Sequence, residues 1–270
     1  MMNKIIAIAC HKGGVGKTTT VLNLGFSLNR LGQKVMLIDG DPQGGIAIAS
    51  NLKKRTTLGI INLLKNDARP EDVIIPTRDK TMSVVGIGAI EPEDVLFLEK
   101  EALRGNLGRT IQSIADGFDY ILLDSPAGIG GIVTALLTAS SGVIIPINCR
   151  SIVVKTIPGF LKLINRVRDK LNPSLRIEGM LINMFNENNR SETEVYNEVM
   201  KQFPQTVFFN TLIPFDENVE RASIKAVPVG ILPKAQNIAR AYIDLATELK
   251  IREIQGNMGG VADEYAEGLF

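Results

Sequence analysis

The run Lys12-Gly13-Gly14-Val15-Gly16-Lys17-Thr18-Thr19 concentrates glycines, lysines and hydroxyls in a few consecutive residues. That mixture can hold a phosphate chain. Gly13, Gly14 and Gly16 let the backbone turn tightly, so that the N–H groups from Gly13 through Val15 to Gly16 face phosphate oxygens. Lys17 would reach the β- and γ-phosphates, Thr18 would ligate Mg²⁺ and Thr19 would touch the α-phosphate. The run departs from the usual phosphate-loop pattern G-x-x-x-x-G-K-[ST]. His11 stands where that pattern has glycine, and beside it is an additional lysine, Lys12.

Acidic residues follow at the ends of two apolar runs. Lys34-Val35-Met36-Leu37-Ile38 ends in Asp39-Gly40-Asp41-Pro42-Gln43-Gly44, and Tyr120-Ile121-Leu122-Leu123 ends in Asp124-Ser125-Pro126-Ala127-Gly128. Carboxylates at strand ends lie where doubly wound sheets bind ligands. Asp124 fits the role of holding Mg²⁺ through water. The Gly128 N–H can face a γ-phosphate, which makes residues 124–128 a candidate switch that senses hydrolysis.

These groups need a scaffold that brings distant segments to one edge. Apolar runs predict strands near 4–10, 34–39, 82–87, 119–124, 142–147, 176–183 and 206–213. Helical patterns predict helices at 17–31, 93–116, 129–140, 156–171, 191–203 and 234–254, the last with a packing stripe of Ile238, Tyr242, Leu245 and Leu249. Ser191 with Glu194 reads as a capping box at a helix start. The alternation predicts an α/β fold with a doubly wound, mostly parallel sheet flanked by helices. No low-complexity linker divides the chain, so residues 1–255 are expected to form a single P-loop ATPase domain, with 256–270 a flexible acidic tail.

The loop K-G-G-x-G-K-[ST] resembles the deviant Walker A motif of the ParA/MinD ATPases, and Asp39-Gly40-Asp41-Pro42-Gln43-Gly44 resembles that family's D-x-D-P-Q-G motif. The resemblance extends over about residues 3–250. It implies ATP and Mg²⁺ as ligands, with slow, partner-stimulated hydrolysis. It implies that Lys12 reaches the phosphates of a second protomer in an ATP-sandwich homodimer, and that Lys12, Lys17 and Asp41 carry the chemistry. Asp41 would orient the attacking water, and Asp39 would lie near the metal and water network, with Thr18, Asp41 and Asp124 around the metal. Adenine would lie between Asn183 and the turn Pro214-Phe215-Asp216. No N-K-x-D guanine signature occurs.

Within the family, the features are those of ParA-type proteins, which partition or position DNA or another large cargo with a ParB-like activating partner and bind DNA without sequence preference. Asp124-Ser125-Pro126-Ala127-Gly128 is closer in wording to MinD, so a MinD/FlhG-like membrane-cycling regulator is an alternative. An ATP-dependent ligase of the cobyrinic acid or dethiobiotin type is a third; Lys12 and Asp41-Pro42-Gln43 argue against it.

A chain of 270 residues with 45% hydrophobic content can bury a large core, and its net charge of +1 creates no global field toward nucleic acid. Local basic sets exist: Lys155, Lys162, Arg166 and Lys170 share one face of the 156–171 helix, opposite Ile157, Leu161, Ile164 and Leu171. Arg190, Arg221, Lys225, Lys234 and Arg240 form a second set in the C-terminal third. The family's I-P-R after the last strand is Ile213-Pro214-Phe215 here, one arginine fewer.

The tail argues against membrane binding. Residues 251–270 carry Arg252 alone against Glu253, Asp263, Glu264 and Glu267, the wrong sign for anionic lipid, and Gly256, Gly259 and Gly260 are expected to break a helix there. Cys10 and Cys149 lie on predicted buried strands and read as structural thiols in a reducing cytoplasm. No C-x-x-C is present, which argues against iron–sulfur relatives. The first strand starts too early for a signal peptide, and no apolar run could span a bilayer. The expected location is cytoplasmic, nucleoid-associated when ATP is bound. His11, the only histidine, reads as a loop filler.

Overall fold

The structure, a computed structural model, describes residues 3–52, 55–78, 80–150 and 155–258. β1 (Lys4–Ile8) leads through the glycine loop into α1 (Lys17–Arg30) and back to β2 (Val35–Asp39). Short helices α2 (Gly45–Ala49), α3 (Ile60–Lys65) and α4 (Pro70–Val73) follow, then β3 (Ile75–Pro76) and β4 (Met82–Val85). The middle of the chain holds α5 (Pro92–Leu103), α6 (Asn106–Ser113), β5 (Tyr120–Asp124), α7 (Gly131–Ala139) and β6 (Gly142–Ile147). The remainder holds α8 (Ile157–Lys170), β7 (Arg176–Ile182), α9 (Arg190–Gln202), α10 (Glu217–Ile224) and α11 (Gln236–Met258).

The strands form one seven-stranded sheet in the order β3-β4-β2-β5-β1-β6-β7. Every pairing is parallel except β3 with β4. β2 and β5 are buried at every position, which is why their sequences read as continuous apolar runs rather than alternating ones. Successive residues of β1 and β5 feed opposite cores. Ile6, Ile8, Tyr120 and Leu122 pack with α1 and with Ile238, Tyr242, Leu245 and Leu249 of α11. Ile5, Ala7, Ile121 and Leu123 pack under α6, α7, α8 and α9. The expected doubly wound, mostly parallel sheet is the fold observed.

Several local expectations are corrected. The helix expected over 93–116 breaks at Gly105 (φ 75°) into α5 and α6. Residues 206–213 do not form a strand. A 3₁₀ turn occupies Gln205–Val207, and only isolated bridges tie Phe208 to Met180 and Pro214 to Phe185. The reason is a competing acceptor: the Glu248 carboxylate of α11 accepts the Asn210 and Thr211 N–H groups at 2.7 and 2.8 Å.

The start of α9 is capped by Asn189, whose side chain accepts the Ser191 and Glu192 N–H groups, while Glu194 pairs with Arg190. Ser191 is inside the helix and makes no capping box. Leu171, assigned to the buried stripe of α8, is 54% exposed. α11 continues through Gly256 to Met258, and residues 259–270 of the acidic tail lie outside the described residues.

Candidate functional site

The carboxyl edge of β1, β2 and β5 gathers the chemistry. The loop after β1 turns on two left-handed glycines, Gly14 (φ 71°) and Gly16 (φ 84°), a conformation that side chains rarely adopt. Gly16 is also the N-cap of α1, so this helix directs its positive end into the loop. Gly13 and Gly14 are exposed, Lys12 is half-exposed, and Lys17 is buried at the first turn of α1. One lysine thus lies within the cradle and the other at its rim.

Three further segments close around the loop. Thr18 Oγ1 donates to Asp124 Oδ2 at 2.5 Å. The turn after Asp41 passes over Thr18, so close that a Cβ on Gly45 would meet Thr18 Oγ1 at 3.0 Å. The segment after Asp124 packs against the loop's start, with Ala127 Cβ at 3.8 Å from the Cβ position of Gly13. Gly128 has φ 113°, which only glycine adopts comfortably. A cleft of about 260 Å³ opens between Asp41, Gln43, Pro126 and Ala127, with Glu99 on its far wall.

The carboxylates are strongly perturbed. Asp39 and Asp124 are register partners on β2 and β5, and both are fully buried. Asp39 accepts the Ile46 and Asp41 N–H groups at 2.9 and 3.2 Å, yet burial pushes its pKa up to about 7. Asp124 is pushed up to about 8, first by burial and then by the charge of Asp39, against the Thr18 hydrogen bond and the Lys17 charge. Its Oδ1 is buried and has no hydrogen-bond partner. A buried carboxylate oxygen without a partner, beside a hydroxyl and a second carboxylate, suits a hard divalent cation with oxygen ligands. Asp41 is half-exposed and accepts the Gln43 N–H at 2.9 Å.

The remaining expected residues fall at the end of β7 and beyond. Asn183 is buried under the loop and donates to the Val15 carbonyl at 2.8 Å. Pro214 follows Ile213 along the β7 edge, Phe215 is 60% exposed, and Asp216 caps α10 by accepting the Asn218 N–H at 2.7 Å. Sequence reasoning missed the Asn183–Val15 bond, because nothing in the sequence ties a strand end to a loop so distant in the chain. It also missed Glu99, which reaches the cleft from α5 without a motif. His11 Nδ1 is buried without a partner. Cys10 and Cys149 are free and buried, and burial raises both thiols, Cys149 to about 11.

Lys162, Arg166 and Lys170 are exposed on α8, Lys155 is exposed in the turn that precedes it, and none of the four forms an ion pair among the described residues. Arg190, Arg221 and Arg240 are each paired four residues along their own helix, while Lys225 and Lys234 are exposed. No helix among the described residues is long and apolar enough to cross a membrane.

A glycine loop between β1 and α1, acids at the ends of β2 and β5, and this strand order define a P-loop NTPase fold with a two-lysine loop. The AAA domain family pattern matches residues 3–177. The sporulation initiation inhibitor protein Soj of Bacillus subtilis is 32% identical over 92% of this chain and 98% of its own length. The chromosome partitioning protein ParA of Caulobacter vibrioides is 31% identical over 93% and 95%. Among solved structures, the septum site-determining protein MinD of Pyrococcus horikoshii, complexed with Mg-ADP, superposes with a TM-score of 0.77 at 24% identity, covering 96% of this chain and all of that one. The chain belongs to the ParA/MinD family of P-loop ATPases.

Proposed function

We propose that this protein is a ParA-type ATPase, within a single domain of residues 1–255, that closes into a homodimer on ATP. The dimer binds DNA non-specifically and partitions or positions DNA or another large cargo. A ParB-like partner stimulates hydrolysis and release. The observation that carries this reading is Lys12: a second cation at the rim of a cradle already served by buried Lys17. The name of the Caulobacter vibrioides relative, chromosome partitioning protein ParA, supports the partition role.

In this mechanism the N–H groups of Gly13–Gly16 bind the β- and γ-phosphates, and Lys17 neutralises them. Thr19 holds the α-phosphate. Adenine rests over Asn183 against Pro214, Phe215 and Asp216. Asp41, exposed enough to meet water, orients the attacking molecule and accepts its hydrogen bond. Thr18 and Asp124, with Asp41 near them, would hold Mg²⁺, which supplies charge neutralisation of the phosphates. The Gly128 N–H registers the γ-phosphate, and Asp39 organises the Asp41 turn through its bonds to Asp41 and Ile46. Lys12 of one protomer meets the phosphates of the other, stabilising charge in trans as an arginine finger does.

The exposed Lys155, Lys162, Arg166 and Lys170 and the basic set of the C-terminal third would contact DNA phosphates, so binding should fall steeply with salt. The protein would then reside in the cytoplasm, on the nucleoid when ATP is bound, and not on membrane. The test is retention on DNA with and without Mg-ATP. Wild type should be retained only with ATP, and Lys12→Ala should be lost. Equal retention of both proteins under both conditions would overturn the mechanism.

A further inference from the structure

α11 is apolar on two faces. One is the packed stripe that includes Tyr242, Leu245 and Leu249. At 3.6 residues per turn, Ile243, Thr247 and Ile254 recur on the opposite face, flanked by Lys250 and Ile251. Ile251 and Ile254 are 48% and 60% exposed. This outer track leads into a groove. Where α1 meets the first turns of α11, a depression of about 300 Å³ is lined by Phe26, Gly230, Ala239 and Ile243, with the exposed Arg30 and Arg240 at its margin. Gly230 lies so close to Phe26 that a Cβ there would meet the ring at 2.6 Å. Arg240 pairs with Asp244 at 2.8 Å, whereas Arg30 and Lys250 form no ion pair among the described residues.

The chain that follows α11 has a composition that matches the track. Gly259-Gly260 permits a reversal of direction. Val261, Tyr265, Leu269 and Phe270 are apolar, Asp263, Glu264 and Glu267 are acidic, and neither Lys nor Arg occurs after Arg252. The reach suffices. Ile243 lies about 22 Å back along α11 from Met258 at 1.5 Å per helical residue, and residues 261–270 span up to about 33 Å when extended.

We propose that residues 261–270 dock in cis on this track. Their apolar side chains cover Ile254, Ile251 and the groove, and their carboxylates meet Lys250, Arg30 and Arg240. Arg240 belongs to the basic set that would contact DNA, so the docked segment screens it. The docking stands apart from the proposed function, and the screening rests on it.

The experiment uses the full chain. It holds no Trp, so Tyr265→Trp introduces a single reporter within the segment. Without nucleotide, its emission should be blue-shifted and shielded from acrylamide, at every protein concentration. The double substitution Ile251→Asn, Ile254→Asn removes apolar surface without changing charge, and should return the emission to that of the denatured chain. Leu96→Asn, similarly exposed on α5 across the sheet, should leave the shift in place. In chains that keep Tyr265, Lys250 should be acetylated faster in the double variant than in wild type. Retention on DNA should be about fivefold tighter in the double variant, the equivalent of freeing one exposed ion-pair partner. An emission like that of the denatured chain in the wild-type background would overturn the docking. So would a shift that survives the double substitution, or equal acetylation of Lys250. A shift that grows with protein concentration would give the track to a second copy and would likewise overturn docking in cis. Equal retention on DNA, with docking lost in the double variant, would overturn the screening. If neither protein is retained on DNA under any condition, the DNA reading falls and the screening with it, while the emission still decides the docking.

Discussion

The two edges of the sheet handle charge in opposite ways. At the amino edge, Lys4 of β1 lies 2.9 Å from both Glu178 and Glu253, and the Tyr120 hydroxyl donates to Glu253 at 2.6 Å. Arg252 pairs with Glu248 and caps carbonyls of Glu178 and Phe208. At the carboxyl edge, four residues further along β5 from Tyr120, Asp39 and Asp124 face one another with Lys17 as the nearby cation. One end of the strands neutralises its buried charges internally. The other keeps them unneutralised, which costs stability and leaves a place for ligands.

The largest break in this contrast should come from Lys17→Ala. ATP affinity should fall at least about a hundredfold, the loss of a buried phosphate contact of about 3 kcal/mol, measured by calorimetry. Asp41→Ala should come next. Hydrolysis should drop by about two orders of magnitude while ATP still binds and still drives dimerisation, seen by phosphate release beside light scattering. Normal turnover in that variant would remove Asp41 from the water-orienting role.

A smaller effect concerns pH. The folded-state values of Asp39 and Asp124, about 7 and about 8, lie above those of an exposed carboxylate. The native state therefore holds protons that the unfolded chain has released. This contribution is complete below about pH 4 and is lost as pH rises through 7 to 8. Metal-free, nucleotide-free protein should lose stability from pH 5 to pH 8 in denaturant titrations. Asp124→Asn should flatten that dependence and raise stability at pH 8 by on the order of 2 kcal/mol. A wild-type curve that is flat over this range would contradict the contrast between the edges. The smallest effect belongs to the amino edge: Glu253→Gln should cost about 1 kcal/mol or less and leave ATP affinity unchanged.

Much of the site could be read because its residues sit at ends of strongly apolar strands. Runs such as Tyr120–Leu123 announce a buried parallel strand, so the position of Asp124 follows at once. The glycine loop was equally plain, since its residue types have few other uses together. Elements decided by tertiary partners were not legible. Glu248 diverts Asn210 and Thr211 from pairing, Asn189 rather than Ser191 caps α9, and Gly105 in a left-handed conformation splits a helical pattern that sequence periodicity alone would continue. The short helices α2, α3, α4 and α10 are too brief to display a periodic stripe.

The Glu248 carboxylate has one more consequence. A sheet ends at two open margins, and an open margin can recruit strands from other molecules. Beyond β7, the chain from Phe208 to Pro214 lies along the margin without completing a ladder, because Glu248 has taken its middle N–H groups. At the far margin, β3 is only Ile75–Pro76, and proline has no N–H to offer a newcomer. Both margins are thereby blunted against edge-to-edge aggregation, so copies crowded together on a shared surface are steered away from fibrous stacking through their sheets.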